Sequence, residues 1–410
     1  MTHALATQGA AVKRASIELA QASNETRQAV LHHVANRLEE VRDELLALNA
    51  EEVAAYQESG PGRDRLTLTE GRVADMATAL RQIADSPDPL FEVLDQSTRP
   101  NGLHVERLRV PLGVIGVVYE NRPNVTCDVA GLCVRSGNAA FLRGSSTAQR
   151  TNSFLVTLWR DALEKEGLPP AGVSLVEDPS HETVEAFMQL SDVLDCLIPR
   201  GGTSLIAVMR EHARVPYVLD GDGNCHVFVD ETANLDDAVA IVKNAKTSRP
   251  GVCNAAETVL VHEAIAPTFL PALARSMPEV ELRADERARR YLPSATAATE
   301  DDFAREFLDL ILAVKVVDSL DEAISHVATY GTGHSEAILT HDEGNAEAWV
   351  KRVDAAAVLV NASTRFIDGG ELGLGGEVGI STQKLHARGP MGLRELTCLK
   401  WVVRGEGQIR

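Results

Sequence analysis

Cys253 stands in the run Lys243-Asn244-Ala245-Lys246-Thr247-Ser248-Arg249-Pro250-Gly251-Val252-Cys253-Asn254-Ala255-Ala256-Glu257-Thr258-Val259-Leu260-Val261, whose composition suits nucleophilic chemistry. The run reads as the end of an amphipathic helix, an Arg-Pro-Gly loop and a buried strand, so the thiol lies at a loop-to-strand junction where it can face a cleft. A free cysteine is ordinarily a small buried apolar residue. Here Lys243, Lys246 and Arg249 are close in sequence, and cationic neighbours lower a thiol pKa and raise the fraction of thiolate, the species that attacks a carbonyl carbon. Cys127, Cys133, Cys196, Cys225 and Cys398 fall in strand, helix or turn settings without such a cluster. No C-x-x-C pair occurs, so the spacing fits neither a zinc site nor a disulfide framework. Twelve histidines without H-x-x-x-H spacing argue against a metal, and His226, at the start of a strand, reads as structural.

A second group of candidates sits on turns that follow a predicted strand and open a helix, where free backbone N–H groups can meet an anion. These are Asn121-Arg122-Pro123, Arg143-Gly144-Ser145-Ser146-Thr147 and Pro199-Arg200-Gly201-Gly202-Thr203. Each has a plainer alternative. Asn121 either donates to an oxyanion or caps its helix; the turns at 143–147 and 199–203 either hold a phosphate or are ordinary strand-to-helix chemistry. Arg122, Arg249 and Arg365 either grip anionic parts of a substrate or make surface ion pairs. The glycine run from Gly369 to Gly379 carries Val378 where G-x-G-x-x-G needs glycine, and it lacks the strand-turn-helix setting of a dinucleotide loop, so it reads as a hinge or active-site turn.

These residues need rigid elements to hold them. Val30, Val34, Leu38, Val41, Leu45 and Leu48, and then Val73, Met76, Leu80 and Ile83, recur at helical spacing, making the first ninety residues a helical scaffold. Short apolar runs at Val114–Val118, Ala139–Leu142, Val173–Val176, Leu194–Ile198 and Val215–Leu219 alternate with helices, which predicts a doubly wound parallel sheet with ligands beyond its carboxyl strand ends. Near Gly221-Asp222-Gly223-Asn224 the rhythm restarts, with strands at His226–Val229, Glu257–Val261, Ile311–Val317, Ala337–Leu339 and Ala357–Val360. A capping box at Ser319-Leu320-Asp321-Glu322 opens one of the intervening helices. Leu103–Val110 alternates apolar and charged residues, and Glu395–Val403 reads as a strand able to pair with it. Exposed strands remote in sequence are ordinarily covered, so a homo-oligomer is expected.

Length and charge bound the rest. At 410 residues the chain is too long for one ordinary core. Acidic residues outnumber basic ones, 59 to 40, for a formal charge of −19. That field repels phosphate backbones and no long Lys/Arg stripe offsets it, which argues against nucleic acid. A small anionic ligand must therefore be met by local Arg, Lys or backbone N–H groups. There is no basic leader with an apolar run and no apolar stretch of membrane-spanning length, so the expectation is a reduced, soluble, cytoplasmic protein with no membrane partner.

In chain order, Pro111-Leu112-Gly113-Val114-Ile115-Gly116, Asn121-Arg122-Pro123, Ser136-Gly137-Asn138 with Arg143, Ile198-Pro199-Arg200-Gly201-Gly202 and Cys253 at its distance resemble the aldehyde dehydrogenase superfamily over nearly the whole chain. More closely, Tyr119-Glu120-Asn121-Arg122-Pro123-Asn124, Asn224-Cys225-His226-Val227 and Cys253-Asn254 with Glu257-Thr258 resemble its branch that reduces γ-glutamyl phosphate in proline biosynthesis. The resemblance implies an α/β, aldehyde dehydrogenase-like fold of two doubly wound parallel-sheet domains plus a small β oligomerisation element. Residues 1–102 and 112–224 would form the dinucleotide-binding domain and 225–385 the catalytic domain, with 103–111 and 386–410 as oligomerisation strands and tail.

By the same resemblance Cys253 is the nucleophile and Asn121 helps form the oxyanion hole. Arg143 falls where oxidising relatives carry a cofactor-contacting Lys, Ser145, Ser146, Arg200, Gly201 and Gly202 line the cofactor, and Glu306, beside Phe307, contacts its ribose. Arg122, Arg249 and Arg365 would hold the substrate's phosphate and carboxylate. The implied reaction is NADPH-dependent reduction of L-glutamyl 5-phosphate through a Cys thioester to L-glutamate 5-semialdehyde and phosphate, with the preceding glutamate kinase as a candidate partner. Two rivals remain: an oxidising, hydrolytic aldehyde dehydrogenase, and a catalytically silent scaffold for that kinase. Keeping both Cys253 and Asn121 argues against silence. Tyr217–Gly223, where oxidising relatives place a water-activating Glu, offers only Asp220 and Asp222.

Overall fold

The computed structural model describes residues 3–57, 61–219 and 221–410. Six strands precede residue 219: β1 Val93–Thr98, β2 His104–Pro111, β3 Val114–Tyr119, β4 Ala139–Arg143, β5 Val173–Leu175 and β6 Cys196–Arg200. Then come β7 Cys225–Val229, β8 Ala256–His262, β9 Glu281–Ala284, β10 Thr296–Ala297, β11 Ile311–Val317, β12 Ser335–Leu339 and β13 Ala357–Val360. The short pair β14 Ile380–Ser381 and β15 Gly389–Pro390 precedes the last strand, β16 Thr397–Arg404. The chain divides into two units, one of Met1–Leu219, Gly373–Gly379 and Met391–Arg410, the other of Asp220–Leu372 and Ile380–Pro390.

In the first unit β5-β4-β3-β6 form a parallel sheet. Every residue of β3 and β4 is buried, the continuous apolar pattern of strands covered on both faces. Helices Asn24–Glu40 and Glu70–Asp85 pack on each other and on helix Pro123–Arg135, burying Val30, Val34, Leu38, Val73, Met76, Leu80 and Ile83 at the predicted spacing. Ser23 and Thr69 cap them, accepting from the N–H groups of Thr26 and Arg72. The first periodic run breaks at Val41, where a second helix, Arg42–Ala55, begins. The tail pairs antiparallel with β2 as predicted, from Thr397 opposite Pro111 to Arg404 opposite His104. β1, exposed along its whole length and without an apolar face to betray it, completes that three-stranded sheet.

The second unit is a seven-stranded parallel sheet of order β10-β9-β11-β8-β7-β12-β13. Helix Leu235–Thr247 links β7 to β8 and is capped by Asn234, which accepts from the N–H groups of Asp236 and Asp237. Ser319 caps its helix by accepting from the Glu322 N–H, while the Glu322 carboxylate takes the Asp318 N–H instead of closing the box on Ser319.

Four sequence expectations change. Val215–Leu219 is not a strand: it makes a single bridge, Leu197 to Tyr217, because Pro216 has no N–H to extend a ladder. The division falls after Leu219 and not at 224/225, since Gly221 donates to the Ile380 carbonyl at 3.1 Å and Asn224 donates to the carbonyls of Phe303 and Tyr330, each at 2.8 Å. Residues 103–111 and 391–410 group with the first unit and do not stand apart, as does Gly373–Gly379. Short β9 and β10 have no predicted counterpart, since Glu281 and both residues of β10 are exposed. Among the described residues no helix is long and apolar enough to cross a membrane.

Candidate functional site

Helix Leu235–Thr247 ends and β8 begins at Ala256, leaving the predicted loop between them with Cys253 half-buried in it. The loop is pinned just after the thiol: Asn254 Nδ2 donates to the Ile367 carbonyl at 2.7 Å, Thr364 Oγ1 donates to the Asn254 carbonyl at 2.7 Å, and Ala255 N–H donates to the Val252 carbonyl at 3.0 Å. Gly223 lies against Cys253 so closely that a Cβ placed there would stand 1.6 Å from the Cys253 carbonyl oxygen and 2.5 Å from its Cα. Only a bare Cα permits that approach. The Gly223 N–H is accepted by Glu306 Oε1 at 2.8 Å, so this carboxylate, given a ribose contact by the resemblance, braces the turn beside the thiol.

The two lysines expected near the thiol from sequence proximity go elsewhere. Lys246 is fully buried and its Nζ donates to Glu257 Oε2 at 2.7 Å. Burial pulls the lysine below its ordinary value and pushes Glu257 up to about 7. Breaking such a pair strands a buried charge, typically at about 3–5 kcal/mol, so Lys246 is a foundation of the loop. Lys243, three residues earlier on the same helix, faces solvent. Arg365, in the turn after β13, takes the expected place. Its guanidinium donates to Asn254 Oδ1 and to Ser248 Oγ, the latter at 3.2 Å. Burial lowers its pKa and Asp368 raises it back, while Arg249 and Cys253 both lie within its electrostatic reach. Of the three candidate arginines, Arg365 thus bonds the residue that follows Cys253.

Among the polar groups of this unit, His226 is structural as read: its N–H and Nδ1 both meet Glu336 Oε2, at 2.8 and 3.0 Å, and neither side chain is exposed.

In the first unit the three turns do lie at the carboxyl ends of β3, β4 and β6. Asn121 has a positive φ of 39°, a conformation asparagine tolerates better than most residues. It does not cap its helix; the cap position is Arg122, which makes no side-chain capping bond. Instead Asn121 Oδ1 accepts from Ser145 Oγ at 3.0 Å and Thr147 Oγ1 at 2.5 Å, and its Nδ2 donates to Tyr56 Oη at 3.0 Å. Ser145, expected at the cofactor, therefore helps to aim the Asn121 amide. Ser146 is exposed. A Cβ on Gly144 would lie 2.3 Å from Asn152 Nδ2, which explains the glycine there.

Arg143 is buried and its Nη2 donates to the carbonyls of Pro179 and Ser180 at 2.6 and 3.1 Å; it ties the end of β4 to the neighbouring loop. Burial lowers its pKa, partly offset by Asp178. Gly202 caps helix Thr203–His212, next to Arg200 and Gly201 at the end of β6. Its N–H, offered to a phosphate by the sequence reading, meets Glu120 Oε2 at 3.3 Å. Asp222 is exposed, and Asp220 lies outside the described residues.

The sequence profile of the Aldehyde dehydrogenase family matches residues 3–305. The chain belongs to the aldehyde dehydrogenase family. Within the family it is 52% identical over 403 residues to the gamma-glutamyl phosphate reductase of Carboxydothermus hydrogenoformans, covering 97% of each chain. It is 51% identical over 409 residues to that of Moorella thermoacetica, covering 98% of each. The crystal structure of gamma-glutamyl phosphate reductase from Thermotoga maritima superposes with a TM-score of 0.95 at 45% identity, covering 99% of both chains. An engineered glycolyl-CoA reductase with bound NADP+ shares the aldehyde dehydrogenase fold at a TM-score of 0.69 and 17% identity, covering 97% of this chain and 96% of that one.

Sequence reasoning missed Tyr56, whose hydroxyl reaches Asn121 across 65 positions, and nothing local to it signals that role. Gly223 carries a signal with two readings: the Gly221-Asp222-Gly223 punctuation marks a change of rhythm in the sequence, and the structure uses the second glycine for close approach to the Cys253 backbone.

Proposed function

We propose that this chain reduces L-glutamyl 5-phosphate to L-glutamate 5-semialdehyde and phosphate through a thioester on Cys253, in proline biosynthesis. The observation that carries the reading is a half-buried thiol whose loop Arg365 grips at Asn254 and Ser248, in a chain half identical to gamma-glutamyl phosphate reductases over nearly its full length. The Cys253 thiolate attacks C5 of the acyl phosphate, and the C–O bond to phosphate breaks as the C–S bond forms. Arg365 and Arg249 are assigned to the phosphate and carboxylate charges, together with Arg122. Asn121, aimed by Ser145, Thr147 and Tyr56, is assigned to the carbonyl oxygen as it becomes negative; one well-placed donor is typically worth about 3 kcal/mol. NADPH, when bound, supplies the hydride that converts the thioester to the aldehyde, and collapse of the resulting thiohemiacetal returns the thiolate. Arg143, Ser146, Arg200, Gly201, Gly202 and Glu306 keep their proposed places around the cofactor, Arg143 through the loop it anchors and Glu306 through the turn it braces.

The test is reduction of NADP+ by L-glutamate 5-semialdehyde in the presence of phosphate. Steady turnover is expected, and its absence with active-site-titrated protein would overturn the assignment.

The family works with a nicotinamide cofactor, and NADPH is the form this chain is proposed to prefer. Ser146 is exposed just beyond β4, and a glutamate there would set a carboxylate against a 2′-phosphate. Ser146→Glu is expected to shift the NADPH to NADH ratio of kcat/KM toward NADH by about tenfold or more, equivalent to about 1.4 kcal/mol. Wild-type protein with a higher kcat/KM for NADH would refute the preference.

A homo-oligomer is proposed through the three-stranded sheet, because Leu399, Trp401 and Val403 of its edge strand β16 are exposed and a bare apolar edge is ordinarily covered. A reducing, cytoplasmic setting suits a reaction that needs Cys253 as a free thiol. Transient handover from the glutamate kinase suits a reactive acyl phosphate.

A further inference from the structure

The polar groups packed beneath Cys253 include a second thiol that the reaction does not use. Cys225, the first residue of β7, is fully buried, and its Sγ donates to the Cys253 carbonyl at 3.1 Å. The same sulfur lies 3.6 Å from His334 Nδ1, itself 2.8 Å from Ser335 Oγ. The Cys225 N–H donates to the Gly223 carbonyl at 2.8 Å, folding residues 223–225 into a tight turn around the same Cys253 carbonyl that Gly223 touches. Burial, reinforced by Glu336 and by Cys253 itself, drives the Cys225 pKa well up, so this sulfur keeps its proton.

We propose that Cys225 is a positioning residue for the nucleophile: its thiol proton, held by the buried turn 223–225, fixes the Cys253 carbonyl and with it the backbone angle that aims the Cys253 Sγ. The other anchors of the loop act on its neighbours, Asn254 after the nucleophile and Ser248 and Val252 before it. Cys225 acts on the nucleophile's own residue. A carbonyl released from this contact can swing, and displacement of a reacting atom by about 1 Å can cost on the order of 100-fold in rate. The inference rests on Cys253 being the nucleophile.

Cys225→Ala, which removes the donor, and Cys225→Ser, which keeps one, are compared with wild type by kcat, KM and the pH profile of Cys253 alkylation by iodoacetamide, read by peptide mass. Concentrations are corrected to titratable Cys253. The Ala variant is expected to lose about 10- to 100-fold in kcat with KM within about threefold and Cys253 alkylated more slowly at every pH, while the Ser variant recovers most of the loss. Wild-type kcat and alkylation in the Ala variant would overturn the proposal. So would equal losses in Ala and Ser, which would mean that volume and not the donated proton matters. If Cys253 were not the nucleophile, its alkylation would leave the wild-type enzyme active, a result separate from either.

Discussion

Cys253→Ser is expected to fold with an unchanged melting profile and to lose on the order of 10⁴-fold or more in kcat, the scale on which removal of a covalent nucleophile shows itself in dissected enzymes. The fold survives because Cys253 is only half-buried, serine is close to it in size, and its loop is held by bonds of Asn254, Thr364, Arg365 and Ala255 that the substitution leaves in place. The chemistry fails because a hydroxyl ionises far less readily than a thiol, and Arg365 and Arg249 can favour an anion already forming but cannot take its proton. Nor can the other cysteines substitute. Burial pushes Cys127, Cys133 and Cys225 far above the ordinary thiol range and Cys196 up to about 12, and the half-buried Cys398 is also raised by burial. The measurement is kcat alongside a thermal melt; a Ser variant retaining even a tenth of wild-type turnover would remove Cys253 from the reaction.

That expectation could be framed from the sequence because local pattern carries loop position well. The amphipathic run to Thr247 and the apolar run from Ala256 fixed where the loop lies, and both are stated by period alone. The parallel sheets were legible for the same reason: strands such as Val114–Tyr119 and Ile311–Val317 are apolar over most of their length. What proximity in sequence could not supply was direction. Lys243 and Lys246 closely precede the thiol in the chain, yet helical geometry sends one to solvent and the other into the core against Glu257. Arg365 arrives from 112 residues away, the difference of 365 and 253. Ser145 was grouped with a phosphate loop, whereas its hydroxyl serves Asn121, because hydrogen bonding among neighbouring turns is set by tertiary placement. β1 and the pairing role of Tyr56 left no periodic trace.

The second large effect concerns water. Oxidation of L-glutamate 5-semialdehyde by NADP+ is expected to slow at least ~100-fold when phosphate is withdrawn, because a hydrolytic route needs a general base worth typically 10²–10⁴-fold. Three carboxylates in or against this part of the chain, Glu257, Glu306 and Asp222, each have a reason not to serve. Glu257, pushed up to about 7, has the basicity the task wants, but it is wholly buried, with Lys246 on one oxygen and the Leu308 N–H on the other. Glu306 is tied to the turn by the Gly223 N–H that its Oε1 accepts. Asp222 is exposed, and its side chain is one methylene shorter than the glutamate of oxidising enzymes, roughly 1.5 Å of reach from ordinary bond lengths, a shortfall on the scale that costs about 100-fold. On this expectation phosphate is the acceptor that releases the acyl group from Cys253. The experiment follows NADPH formation in phosphate and in phosphate-free buffer and identifies the product. Equal rates with free glutamate released would overturn the acyl phosphate reading in favour of hydrolysis, whereas acyl-enzyme that accumulates without phosphate and discharges when it is added would establish phosphate as the acceptor.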